Sequence, residues 1–189
     1  VETDEATRRA LYRQIDSISY IASTLAIANE YDRLMTAIGS TGTNAGTSYD
    51  YTIYMENIPA NQLENWAMIQ ADRFSDPVLR LFHTELETVY EEKNMSLTND
   101  GRLASETLMR GLFPNHPYGL QTILGEAEHL KNPSIVNIKN FFTQYYVPNN
   151  MAVVMSGDFD PDQAIAIIDR HFGSLKPSPV PEPRFGTQP

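Results

Sequence analysis

The sequence predicts an α+β fold, and three observations predict it. Residues 78–94 (VLRLFHTELETVYEEKN) bring apolar side chains back at three- and four-residue spacing, the period of an amphipathic helix. Residues 48–58 (SYDYTIYMENI) alternate instead, with Tyr49, Tyr51, Ile53 and Met55 set against Asp50, Thr52, Tyr54 and Glu56. That is the period-two signature of a strand with two unlike faces. Residues 151–156 (MAVVMS) form a short apolar run of strand length, expected to be buried on both faces. No internal repeat organises the chain.

A length of 189 residues suits one domain, or one and a fraction, and can bury a sizeable core. A hydrophobic content of 41% with 10% aromatics argues against a disordered chain. The net charge of −10 argues against nucleic acid as a partner, since a phosphate-binding surface needs clustered Lys and Arg. Arg8-Arg9 is the densest basic pair. An acidic body steers basic peptides towards itself. The absence of cysteine excludes disulfides and thiolate metal sites. No run approaches ~18 apolar residues, so no transmembrane segment is expected. The opening VETDEATRR lacks the apolar core of a signal peptide and an initiator Met, and reads as the start of a processed or excised piece.

Residues 7–38 are helical in pattern, with Leu11, Ile15, Ile18, Ala22 and Leu25 on one stripe, for which packing is the expected role. Asn29 interrupts the stripe, so the stretch is one long helix or two joined there, and Gly39 is a C-terminal stop. Residues 40–47 (STGTNAGT) read as a small-residue loop before the strand. Small residues there let another backbone approach, so the loop is either an ordinary turn or an edge to which an extended peptide adds. Pro59 ends the strand. Asn61 is positioned to cap the next helix, with Glu64 three residues on as in a capping box. Leu63, Trp66, Ala67, Gln70 and Phe74 mark that helix's face. Asp76-Pro77 then breaks the chain.

In the helix of residues 78–94, Val78, Leu81, Phe82, Leu86 and Val89 form the apolar stripe. At about 100° per residue, Glu85 and Glu92 lie within roughly 20° of each other, between Leu81 and Val89. Glu87 and Glu91 project to the opposite side. An unpaired buried carboxylate costs several kcal/mol. Glu85 and Glu92 are therefore expected either to pair with Arg or Lys from elsewhere, or to serve as a metal ligand with a second carboxylate behind it.

Arg102 to Leu112 resumes helical spacing, and residues 113–119 (FPNHPYG) are irregular around His116. His116, His129 and His171 have no second ligand at a recognisable spacing. Ser134 caps a helix through Ile135, Ile138, Phe141, Phe142 and Tyr145. Residues 148–150 turn the chain, and Pro161 opens a last helix that ends at Gly173. From Lys176 to Pro189, five prolines in fourteen residues describe an extended linker.

The order of these segments is specific. NAGTSYDYTIY, the E-x6-E of ELETVYEE, HPYG and YYVPNNMAVVMSGDFD with a helix after it resemble the insulinase/pitrilysin zinc metallopeptidases. That family carries the inverted H-x-x-E-H motif. The similarity runs from about Gly39 to Leu175, and residues 1–38 resemble a helical insertion found in part of the family. The resemblance implies a mostly antiparallel sheet with helices packed on one side, and a partial peptidase-type domain over residues 1–175. Residues 176–189 would then link it to a following domain. It implies that Glu92 is the third zinc ligand and that Glu85 supports the site without binding metal. It also implies that Asn44 and Ala45 hold substrate backbone. H-x-x-E-H itself is absent. His83 would need Glu and His at the positions of Leu86 and Glu87, so two zinc ligands and the general base would lie upstream of Val1.

On this reading the parent protein is a zinc-dependent endopeptidase cleaving peptides or small proteins, with a peptide substrate and the rest of the parent chain, or a homologous domain, as partners. This chain alone is catalytically incomplete. The alternatives are a non-catalytic scaffold or partner subunit, or a peptide-binding module, of the same fold.

Overall fold

The computed structural model of the chain describes residues 4–27, 29–79, 82–126, 129–130, 134–182 and 186–187, with only the backbone described at positions 83 and 84. Leu81 and the His83 side chain therefore lie outside what is described.

The N-terminal helical stretch is two helices, α1 (Glu5–Leu25) and α2 (Glu30–Ala37). Asn29 sits between them in the left-handed region at φ 52°, a conformation that asparagine tolerates and that ends a stripe. Gly39, at φ +80°, stops α2, and a Cβ there would lie 3.2 Å from Pro59 Cγ. The packing expected of the first stripe is not seen. α1 buries none of its residues, and Ile18 and Leu25 are 67% and 81% exposed. Among the described residues, no element covers that face.

Residues 40–47 are not a loop. Thr41–Thr47 forms β1 and pairs antiparallel with β2, Thr52–Asn57. The threonines favour a pleated surface, and the small residues between them do not obstruct pairing. Ser48 N–H donates to Tyr51 C=O at 2.8 Å and closes the hairpin. β2 does show two unlike faces, but the inner one carries Tyr54 and Glu56, while Ile53 and Met55 stay exposed. This orientation is stable because the helices beneath offer polar partners.

Those helices are α2 and α3 (Leu63–Ser75), both on one side of the hairpin, which makes the fold α+β with one small antiparallel sheet. A short 3-10 turn, Ala60–Gln62, precedes α3. The helix therefore starts two residues beyond Asn61, which does not cap it. α3 buries Leu63, Ala67, Gln70 and Ala71. It packs on the last helix, α8 (Pro161–Phe172). Ala67 of α3 and Ala164 of α8 are both buried, and their small side chains let the two helices approach closely. Met35 of α2 is the largest fully buried side chain.

Between α3 and α8 run α4 (Phe82–Ser96), α5 (Asp100–Leu112), the four-residue α6 (Pro117–Leu120) and α7 (Ile135–Tyr145). Side-chain caps set four starts: Asn99 accepts from Arg102 N–H, His116 from Tyr118 N–H, Ser134 from Asn137 N–H and Asp160 from Gln163 N–H. Residues 151–156 join no ladder, and Val153 and Val154 are 43% and 90% exposed. A strand needs a neighbouring strand to satisfy its N–H and C=O groups. None of the described residues supplies one here, so the expectation of a strand buried on both faces fails. Part of the proline-rich tail is fastened back to the body. Ser178 N–H donates to Asn149 Oδ1 at 3.0 Å, and Asn149 Nδ2 donates to Ser178 C=O at 2.9 Å.

The chain exposes 14174 Å², where a compact chain of its mass exposes about 9,100 Å². The uncovered apolar faces of α1, α5 and α7 and residues 151–156 contribute to the difference.

Candidate functional site

The hairpin edge is the first part of the site. Among the described residues β1 pairs with β2 alone, so its other edge is free. Asn44 stands opposite Met55, and Ala45 opposite Tyr54. Asn44 Oδ1 accepts the Ala45 N–H at 2.8 Å, the side chain of one residue satisfying the backbone of the next. Below this edge lies a cavity of about 200 Å³, lined by Tyr31, Asp32, Thr43, Asn44, Ala45, Tyr54, Glu56 and Arg73.

A polar network holds the hairpin over the helices. Tyr31 O–H donates to Glu56 Oε1 at 2.5 Å. Gln70, buried in α3, donates through Nε2 to Tyr31 Oη at 2.7 Å and to Glu56 Oε1 at 3.3 Å. The Arg73 guanidinium lies over the ring faces of Tyr31 and Tyr54, 4.2 and 4.5 Å from their centroids. Burial, and then the bond to the Glu56 carboxylate, push the Tyr31 phenol up to about 12. Burial also raises Tyr54, assisted by its 3.2 Å bond to Tyr146. The hairpin tip is tied separately. Tyr118 of α6 donates to Asp50, and the Tyr49 ring packs 4.8 Å from that of Tyr118.

The second part is α4. Glu85 and Glu92 lie two turns apart on one side of it, as the spacing required, but both are exposed. Among the described residues neither makes a hydrogen bond or ion pair. The polar residue that α4 buries is Lys93, 2% exposed, whose Nζ donates to Thr122 Oγ1 at 3.3 Å. Phe82, Leu86 and Val89 are half-buried, and Lys93 follows Val89 by four residues. The buried face therefore continues into Lys93, and Glu92, ~100° away, is left at the flank.

No zinc centre is assembled among the described residues. Among the described residues no group of three or more His, Cys, Asp or Glu could hold a metal. His116 Nδ1 accepts from Tyr118 N–H, and His129 Nδ1 accepts from Glu126 N–H. His171 lies 2.6 Å from Glu64. The structure thus joins Asn44 to Ala45 and Glu85 to Glu92 as pairs on separate elements. One free carboxylate does not fit a catalytic zinc, which takes three protein ligands.

Sequence reading missed the Tyr31–Glu56–Gln70–Arg73 network and the burial of Lys93. Gln70 was visible on the apolar face of its helix and was the available signal for the network.

Comparison with known proteins adds identity to this geometry. Residues 135–189 match the family model described as the M16 peptidase inactive domain. The zinc protease PqqE of Helicobacter pylori is 25% identical over 173 residues, 89% of this chain and 38% of that protein. The crystal structure of a protease from Helicobacter pylori superposes with a TM-score of 0.78 at 25% identity, covering 86% of this chain and 40% of that one. The first half of the periplasmic protease PqqL from Escherichia coli shares the fold, with a TM-score of 0.71 at 21% identity over 80% of this chain and 34% of that one. The chain spans between 30% and 40% of the lengths of these and related proteins. No helix among the described residues is long and apolar enough to cross a membrane. Family model, relative and fold agree with the motifs: residues 135–189 match an M16 peptidase domain, and the chain is similar to zinc proteases of that insulinase-like type.

Proposed function

We propose that this chain is part of a zinc-dependent endopeptidase that cleaves peptides or small proteins, and that it is catalytically incomplete by itself. The observation that carries the reading is a conjunction. A chain matched over 89% of its length by a zinc protease presents, among the described residues, a free strand edge at Asn44-Ala45 and two unpaired carboxylates, Glu85 and Glu92, on one side of a helix. An extended peptide adds to the β1 edge through backbone hydrogen bonds, with Asn44 and Ala45 as its contacts. Glu92 serves as a zinc ligand in the intact protein, with Glu85 two helical turns before it as an orienting carboxylate. The two histidines and the base come from polypeptide upstream of Val1, and a homologous domain completes the assembly. When bound, the zinc supplies an activated water.

A second reading has its own support. The family model that matches residues 135–189 is described as an inactive domain, which favours a scaffold or partner role for at least that part. Zinc content and cleavage of a quenched peptide separate the two readings, measured on this chain and on the same polypeptide extended upstream. The peptidase reading expects one zinc and cleavage only in the extended form, with Glu92→Gln weakening zinc binding. An extended form that holds no zinc removes Glu92 from the ligand set and leaves the scaffold.

A further inference from the structure

We propose that the cavity under β1 is a pocket for one basic side chain, lysine or arginine, of a peptide lying along that strand. The inference rests on the strand-edge reading above and adds a specificity to it. A peptide added to an edge points alternate side chains to one face of the sheet. The inner face of this hairpin, carrying Tyr54 and Glu56, is the face that lines the cavity. About 200 Å³ accommodates a single side chain, whereas pockets for whole drug-sized ligands run to ~300–1,000 Å³.

The sign of the pocket follows from how its charges are already used. Arg73 is its cation, and that charge is met by the faces of Tyr31 and Tyr54. Arg73 Nη1 is buried without a hydrogen-bond partner among the described residues. Glu56 takes both of its hydrogen bonds on Oε1, which leaves Oε2 unbonded among the described residues. Asp32, at the exposed rim on α2, makes no hydrogen bond or ion pair with any described residue. Two carboxylates with unused oxygens thus line the space, against one guanidinium stacked on the rings. The net charge of −10 attracts the same class of peptide at longer range.

The test uses the chain as it is. Fluorescence anisotropy compares extended peptides of one length that carry lysine, norleucine or glutamate at alternate positions, in about 0.15 M salt. Binding is measured to the unaltered protein, to Asp32→Asn and to Glu56→Gln, with circular dichroism confirming that each is folded. The lysine peptide is expected to bind about three- to fivefold tighter than the norleucine peptide, the strength of a partly exposed ion pair. Asp32→Asn, at the rim, should reduce that preference without weakening the norleucine peptide. Glu56→Gln retains an acceptor for Tyr31 and should reduce the preference as well. Peptides that bind with no preference for lysine, or a preference that survives both substitutions, overturn the pocket and leave the edge intact. Failure of every peptide to bind overturns the edge reading and the pocket with it.

Discussion

Lys93 offers the sharpest check on the energetics of α4. It is 2% exposed, and its ammonium has one partner, the Thr122 hydroxyl at 3.3 Å, which in turn donates to Gly125 C=O at 2.9 Å. Taking an ammonium out of water costs several kcal/mol in a real protein, while a hydrogen bond to a charged group returns about 1.5–3 kcal/mol. The methylene stem of lysine is close in length to methionine. Lys93→Met therefore keeps the packing and removes the unpaired charge, and unfolding free energy should rise by about 1–3 kcal/mol. Thr122→Val should act in the opposite direction, since it leaves the ammonium with no partner, and should cost about 1–3 kcal/mol. The double variant should recover the part of that loss due to the orphaned ammonium, but not the part due to the lost Thr122 hydroxyl bond to Gly125 C=O. Urea unfolding followed by the fluorescence of Trp66, the single tryptophan, measures all three. A Lys93→Met variant less stable than the parent by more than ~1 kcal/mol would refute the reasoning. It would mean that the ammonium stabilises the fold through an anion the hydroxyl does not represent.

Two further outcomes follow from contacts elsewhere. Glu64 joins α3 to α8, accepting from Arg170 Nη1 at 2.9 Å on both oxygens and meeting His171 Nε2 at 2.6 Å. His171 first, and Arg170 after it, hold the Glu64 carboxyl below its ordinary 4.5. A depressed carboxylate contributes stability that is complete above the unfolded value and is lost as pH falls through the folded one. The melting temperature should therefore decline below about pH 4.5 less steeply in Glu64→Gln than in the parent, and parallel acid profiles would remove Glu64 as a contributor. At Gly119, a Cβ would stand 2.2 Å from Phe113 O and 2.7 Å from Met109 O, both backbone atoms. Gly119→Ala should cost about 1–3 kcal/mol. It should also loosen the hairpin tip held by Tyr118, visible as faster amide exchange at residues 48–51, and unchanged exchange would uncouple the tip from α6.

The local plan was legible along the chain. The break at Asn29, the stop at Gly39, the cap at Ser134, the helix start at Pro161, and the pairing of Glu85 with Glu92 on one side of a helix all come from neighbours within a few residues. Local sterics and hydrogen bonds decide such features, and the sequence carries them directly. Which face of an element is buried was less legible. In β2 the apolar members of the alternation, Ile53 and Met55, were the natural candidates for the inside, yet Tyr54 and Glu56 face the body. They do so because Tyr31, Gln70 and Arg73, from two other elements, satisfy them there.

By itself the sequence determined the periods and ends of the elements, and an order of motifs that resembles the insulinase-type peptidases. Tertiary structure decided that α4 buries Lys93 and leaves Glu92 in solvent, and that residues 41–47 pair as a strand while residues 151–156 do not. It also decided that the stripe of α1 stays uncovered. The physical reason is common to all of these. A period fixes the angle between side chains on one element, whereas burial and pairing depend on what other part of the molecule lies against that element, and no spacing within the element encodes it.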